Sequence, residues 1–214
     1  MAQSLTSGPS IESARAVCIF LHGRGQSAAQ MVQDVISRLD APDVHFVLPE
    51  APNSAWYDAK AVDGMTPATA AQLDDALSLV RAKVASVSGK LSGRPMVIAG
   101  FSQGACLAAE YLLRGGEADA AALLTGCRVG ASDTGLPEDL AASIPVYASN
   151  GDEDPWVPLW AWNKARDAFL RQGARVRSDI FQGREHLVCD DEINAFSGLM
   201  TAVVEGREMP EYST

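Results

Sequence analysis

The segment Gly100-Phe101-Ser102-Gln103-Gly104 places a serine between two glycines, straight after the apolar run PMVIA. A serine hydroxyl attacks a carbonyl only when it is exposed, oriented and close to a base. A tight turn from strand to helix meets the first two needs. It requires small residues two positions to either side, so that strand and helix can approach. The helix that follows also aims its first amides at the same point. Ser102 is therefore the expected nucleophile, and a serine that merely caps the following helix is the plainer alternative.

The base must be one of three histidines. His22 ends the first apolar run, in LHGRG. His45 lies inside DVHFVLP and reads as a packed or edge residue. His186 follows the last apolar run, in QGREHLVC. An α/β-hydrolase brings its partners in the chain order serine, acid, histidine, and only His186 comes after Ser102. The acid must fix the imidazole tautomer and stabilise the imidazolium. The stretch NGDEDPWVP offers Asp152, Glu153 and Asp154. Asp154 is preferred because Pro155 fixes the chain direction after it, with Asp152 second; spacing does not separate the two. An oxyanion needs two backbone N–H donors. Gln103, next to the nucleophile, supplies one; the glycine-flanked Arg24, after the first strand, supplies the other.

The elements that must carry these residues alternate. AVCIFL (16–21), VHFVLP (44–49), PMVIAGF (95–101), AAALLTG (120–126), IPVYASNG (144–151) and ARVRSDIF (174–181) read as buried strands. Between them lie helical patterns over 26–39, 67–86, 102–113, 158–171 and 190–205. Continuous apolar strands alternating with helices imply a mainly parallel central sheet with helices on both faces. Ligands bind such sheets beyond the carboxyl ends of the strands, which is where the unusual residues fall. The stretch 50–66 reads as the longest irregular segment, and loops of that length are often functional.

The chain has 214 residues, 47% hydrophobic and 21% charged, which suits one globular domain over 1–214. Residues 1–14 and 207–214 are expected as flexible tails. A net charge of −10 argues against a nucleic-acid partner. Cys18, Cys106, Cys127 and Cys189 are widely spaced and read as free thiols, with Cys18 and Cys106 as small buried hydrophobes. The N-terminal residues lack a secretory pattern, and no apolar stretch nears the roughly 20 residues of a membrane span. The expected location is the cytoplasm, without membrane insertion.

With these residues in hand, the chain resembles the phospholipase/carboxylesterase family of α/β-hydrolases, which includes the acyl-protein thioesterases. The family order is LHGxG, a Trp-Phe-Asp-like motif, GFSQG, GDxDxxVP and a late histidine. Here it appears as LHGRG (21–25), WYD (56–58), GFSQG (100–104), GDEDPWVP (151–158) and GREH (183–186). The resemblance implies the α/β-hydrolase fold and a triad of Ser102, Asp154 and His186, the acid being the second aspartate of GDxD. It implies the Arg24 and Gln103 amides as oxyanion hole, no metal and no organic cofactor, and it permits a homodimer.

Two departures matter. QSAAQ stands where an aspartate commonly follows HGxG, and the segment after WYD is short. A short segment implies little or no cap and favours a small to medium ester. The alternatives are an acyl thioesterase or lysophospholipase with the same triad, or a ligand-binding homologue without catalysis. Trp56, Tyr57, Trp156 and Met65 are the expected pocket residues. Trp160 and Trp162 fall on the next helix, where core packing is at least as natural.

Overall fold

The computed structural model describes residues 4–207. One sheet holds seven strands: β1 (Ser4–Ser7), β2 (Ala16–Leu21), β3 (Val44–Pro49), β4 (Met96–Phe101), β5 (Ala120–Leu124), β6 (Pro145–Gly151) and β7 (Arg175–Phe181). Their order across the sheet is β1-β3-β2-β4-β5-β6-β7. Every neighbouring pair is parallel except β1 with β3. The helices are α1 (Ala28–Asp34), α2 (Pro67–Ser88), α3 (Gln103–Leu112), α4 (Leu159–Arg171) and α5 (Asp190–Glu205). This is the α/β-hydrolase arrangement that the alternating pattern implies.

The central strands are buried on both faces because successive side chains serve two cores. Val17, Ile19 and Leu21 of β2 join α2, α3 and α4 in one cluster. Ala16, Cys18 and Phe20 join α1 and α5 in the other. The period of α2 sets its buried stripe: Leu73, Ala76, Leu77, Val80, Val84 and Val87 face the sheet. Its start is fixed by Thr66, whose hydroxyl accepts from the Thr69 amide at 3.1 Å, and by Pro67 in the first turn.

Three expectations are corrected. Residues 4–14 are not a tail. Leu5 and Thr6 pair antiparallel with Leu48 and Val47 at the edge of the sheet. Arg94 bonds the carbonyls of Ile11 and Ala14, and His45 Nδ1 donates to the Pro9 carbonyl at 2.7 Å. SLTS is short and polar, so it carries no apolar signal; the pairing comes from the exposed edge of β3. Of the expected C-terminal tail, residues 208–214 lie outside the described residues. Second, the helical pattern over 26–39 breaks at Val35, and a 3-10 turn (Ile36–Arg38) follows α1. Third, the longest irregular stretch is not 50–66 but 125–144, between β5 and β6. Glu110, fully buried on α3, holds it by accepting from Arg128 Nε at 2.6 Å and the Val129 amide at 3.1 Å. Lys164 caps the carbonyls of Ala131, Ser132 and Thr134.

Candidate active site

Ser102 sits between β4 and α3 with φ +54° and ψ −121°. A non-glycine residue held there carries strain of about 1–3 kcal/mol. Its amide donates to the Leu124 carbonyl at 2.9 Å, which continues the sheet, and its carbonyl accepts from Cys106 at 3.0 Å, which opens the helix. The glycines are required by contact. A Cβ on Gly104 would lie 2.0 Å from the Leu21 carbonyl oxygen, and one on Gly100 would lie 2.5 Å from the Gly104 backbone. The Ser102 hydroxyl makes no capping bond to α3. It meets His186 Nε2 at 2.8 Å instead, so helix capping is not its role.

His186 comes from the loop between β7 and α5. Its Nδ1 lies 2.7 Å from Asp154 Oδ2. The other oxygen of Asp154 accepts from the amides of Trp156 and Val157, each at 2.8 Å. Burial pushes the Asp154 carboxyl up. The bonds from His186, Val157 and Trp156 together outweigh it and hold the group below its ordinary value. A carboxylate so fixed requires the proton of His186 on Nδ1 and leaves Nε2 as the acceptor facing Ser102.

Asp152 has a different partner: it accepts from the Gly183 amide at 2.7 Å and ties the acid loop to the histidine loop. Gly151 lets the same loops touch, since a Cβ there would lie 2.0 Å from the Arg184 carbonyl oxygen. Arg184 then anchors the histidine loop from below. Its guanidinium bonds the carbonyls of Glu185 and Leu187 and the Thr125 hydroxyl, and pairs with buried Glu192 at 3.3 Å. Reading the sequence missed Arg184 and Glu192. The only signal was Glu192 three positions after Cys189, the spacing of a helix-start carboxylate, whose side chain accepts from the Cys189 amide at 2.8 Å.

The loop after β2 lies against the elbow, with the Gly23 Cβ position 3.2 Å from Ser102 Cβ. Gly23, Gly25 and Gln26 spend their amides on Gln26 Oε1, the Ser54 carbonyl and the Gly23 carbonyl. The Arg24 amide has no protein acceptor among the described residues. Gln103 is the first residue of α3, so its amide has no carbonyl in its own helix. Among the described residues both amides, the pair expected as oxyanion donors, are thus left without a protein acceptor beside Ser102. The Arg24 side chain bonds the Ala59 carbonyl and borders the pocket.

That pocket has a volume of about 400 Å³ and opens on Ser102, Gln103 and His186. Arg24, Tyr57, Ala59, Lys60, Ala61, Cys106, Trp156 and Val157 line it. Tyr57 and Trp156 fall where expected; Trp156 is 57% exposed at the rim. Trp56 and Met65 are corrections. The Trp56 ring is buried behind the loop after β2, its Nε1 donating to the His22 carbonyl at 2.9 Å and its plane beside the His22 ring. Its neighbour Tyr57 turns to the pocket instead. The Gln103 side chain clamps both, accepting from the Trp56 amide at 3.0 Å and donating to the Tyr57 carbonyl at 2.7 Å. Met65 packs on the edge of the α2 core and does not reach the pocket. Trp162 is core, and Trp160 is 44% exposed.

The profile of the family described as Phospholipase/Carboxylesterase matches residues 8–203. The chain is 27% identical to acyl-protein thioesterase 1 of Neurospora crassa, covering 90% of this chain and 89% of that one. A phospholipase/carboxylesterase from Dyadobacter fermentans superposes with a TM-score of 0.84 at 28% identity, covering 94% of this chain and 97% of that one. Acyl-protein thioesterase 2 of Zea mays shares the fold, with a TM-score of 0.78 at 18% identity over 95% of this chain and all of that one. The elbow, the late histidine and a family match running almost end to end agree: this chain belongs to the phospholipase/carboxylesterase family and is an ester-bond hydrolase.

Proposed function

We propose that the protein is a serine carboxylesterase for small to medium carboxylic esters, acting through Ser102, His186 and Asp154. The observation that carries this reading is the chain of bonds Asp154–His186–Ser102, at 2.7 and 2.8 Å, opening on one pocket. His186 Nε2 takes the hydroxyl proton as Ser102 Oγ attacks the ester carbonyl. The developing oxyanion is held by the amides of Arg24 and Gln103. His186 returns the proton to the departing alcohol. Water, deprotonated by the same imidazole, then releases the acid and frees Ser102. Asp154 keeps the imidazole in the tautomer both steps need.

Pocket size supports the substrate class. About 400 Å³ lies at the lower end of the roughly 300–1,000 Å³ typical of ligand pockets. The segment between β3 and α2 carries a single 3-10 turn, Pro52–Ser54, and no cap of its own. Labelling with a fluorescent fluorophosphonate tests the reading. Wild type should label on the Ser102 peptide, and Ser102→Ala and His186→Ala should not. Folded wild-type protein that binds esters without labelling would point to a non-catalytic binding protein.

A second reading, an acyl thioesterase, is favoured by the likeness to acyl-protein thioesterase 1 along 90% of the chain. The chemistry is the same with a thiol as leaving group. A series of p-nitrophenyl esters and matched acyl thioesters of rising chain length separates the two. Preference for long thioesters would replace the small-ester reading.

A further inference from the structure

Beside the triad lies a second nucleophilic group that hydrolysis does not use. Cys106 stands one turn into α3, and its amide bonds the Ser102 carbonyl. Cys127 follows β5, and its sulfur lies 3.7 Å from that of Cys106. The Cys127 amide donates to Cys106 Sγ at 3.2 Å, and the Cys127 thiol reaches the Ala61 carbonyl at 3.6 Å. Both thiols are buried and free, yet Cys106 borders the pocket, so a small solute in the pocket reaches it. Among the described residues no other two cysteine sulfurs touch.

The structure assigns this pair as a peroxide-reactive modification site at the pocket floor: Cys106, which lines it, and Cys127 behind it close to a disulfide that displaces the start of α3 and slows turnover at Ser102. The thiolate is the form that attacks peroxide. The neighbouring Cys127 side chain favours the Cys106 thiolate, burial opposes it, and the Cys127 amide favours it; the net effect lowers the Cys106 thiol. Cys127 is pushed up by the same contact and by burial, so it keeps its proton.

Chemistry follows the usual ladder. Cys106 Sγ attacks one peroxide oxygen, the O–O bond breaks, and the other oxygen leaves as water with the thiol's proton. Cys127 Sγ then attacks the sulfenic sulfur, the S–O bond breaks, and hydroxide leaves with the Cys127 proton as a second water. The two thiols are oxidised by two electrons and hydrogen peroxide is reduced. The sulfurs must close from 3.7 Å to about 2.05 Å. That removes the thiol donor from Ala61, in the pocket wall, and draws the first turn of α3 toward the residues after β5. The consequence for turnover rests on the esterase reading; the disulfide itself does not.

Hydrogen peroxide treatment of wild type, Cys127→Ala and Cys106→Ala tests the assignment, with intact mass, peptide mapping, thermal melting, and ester hydrolysis normalised to each untreated protein. Wild type should lose two hydrogens, yield a linked Cys106–Cys127 peptide and lose activity by roughly a hundredfold, with dithiothreitol restoring both. Cys127→Ala should give no linked peptide and run on to sulfinic acid, which dithiothreitol does not reverse. Absence of the linked peptide in folded wild type would overturn the assignment. A linked peptide with an unchanged rate would overturn the displacement of Ser102. If no ester is turned over at all, fluorophosphonate labelling before and after peroxide reads the displacement, and the linked peptide still decides the pair.

Discussion

His22 and His186 both stand where a parallel strand gives way to a loop at the edge of the site, yet the two loops use their imidazoles in opposite ways. His22 is fully buried. Its Nε2 accepts from the Ala51 amide at 3.0 Å and its Nδ1 donates to the Gly23 carbonyl at 2.8 Å. Both hydrogen-bond partners are backbone, with the Glu50 carboxylate 3.6 Å from Nε2, so the ring stitches the loop after β2 to the loop after β3. The side chain of His186 keeps 19% of its surface exposed and joins a carboxylate to a hydroxyl. One ring is a fixed crosspiece; the other has a pair of side-chain partners that permit a proton to move. Position at a strand end did not distinguish them, and partner chemistry does.

The sharpest way to break the contrast is at the reacting side. Ser102→Ala or His186→Ala should lower kcat by about a million-fold, with urea unfolding little changed. Next, Asp154→Asn should cost about ten-thousand-fold in kcat through the wrong tautomer. Asp152→Asn, which bonds only the Gly183 amide, should stay within tenfold of wild type by rough comparison with typical surface changes. Equal effects would mean that the two aspartates share the task. His22→Ala should do the reverse of His186→Ala. It leaves the buried Ala51 amide without a partner, at about 1–3 kcal/mol, seen as a lower urea midpoint, while the Gly23 carbonyl keeps the Gln26 amide. A His22→Ala protein with native stability but no turnover would erase the distinction.

The smallest effect is in acid. The carboxyl of Asp154 is held below its ordinary 3.8 in the folded state. Its stability contribution is therefore present above that value and is lost as pH falls through the folded value. Wild type should lose more stability than Asp154→Asn between pH 4 and the onset of acid unfolding. Parallel curves would show that the carboxylate is not bonded as described.

Much of this was legible in the chain. Five of the six long strands, β2 to β6, were apolar on both faces, so composition revealed them, whereas RVRSDIF (β7) is a polar, half-exposed edge strand and not the buried strand expected. Gly100 and Gly104 flagged the elbow because only residues without Cβ fit there. What escaped was polar and contextual. β1 forms because the edge of β3 offers it a partner. Trp56 carries the same motif signal as Tyr57 but does not turn to the pocket. The choice of Asp154 over Asp152 needed the resemblance, because both bond a neighbouring loop and only three-dimensional placement tells the loops apart. Arg184 and Glu192 hold the loop of His186 through buried polar contacts, of which only the spacing of Glu192 from Cys189 left a local mark; the bond of Arg184 to Thr125 spans 59 positions.

The wide separation of the triad has a consequence for the protein's life before it is complete. Ser102 and His186 are 84 positions apart, and Asp154 precedes the histidine by 32. A growing chain that has finished β4 and α3 still lacks the β5 carbonyl that holds the Ser102 amide, and has neither Asp154 nor His186. The histidine loop is docked through Gly183 and Arg184, so competence arrives only when β7 and α5 have joined the sheet. On the proposed mechanism, a chain clipped before His186 would hold the serine without its base, and turnover would begin only with the last strand and helix in place.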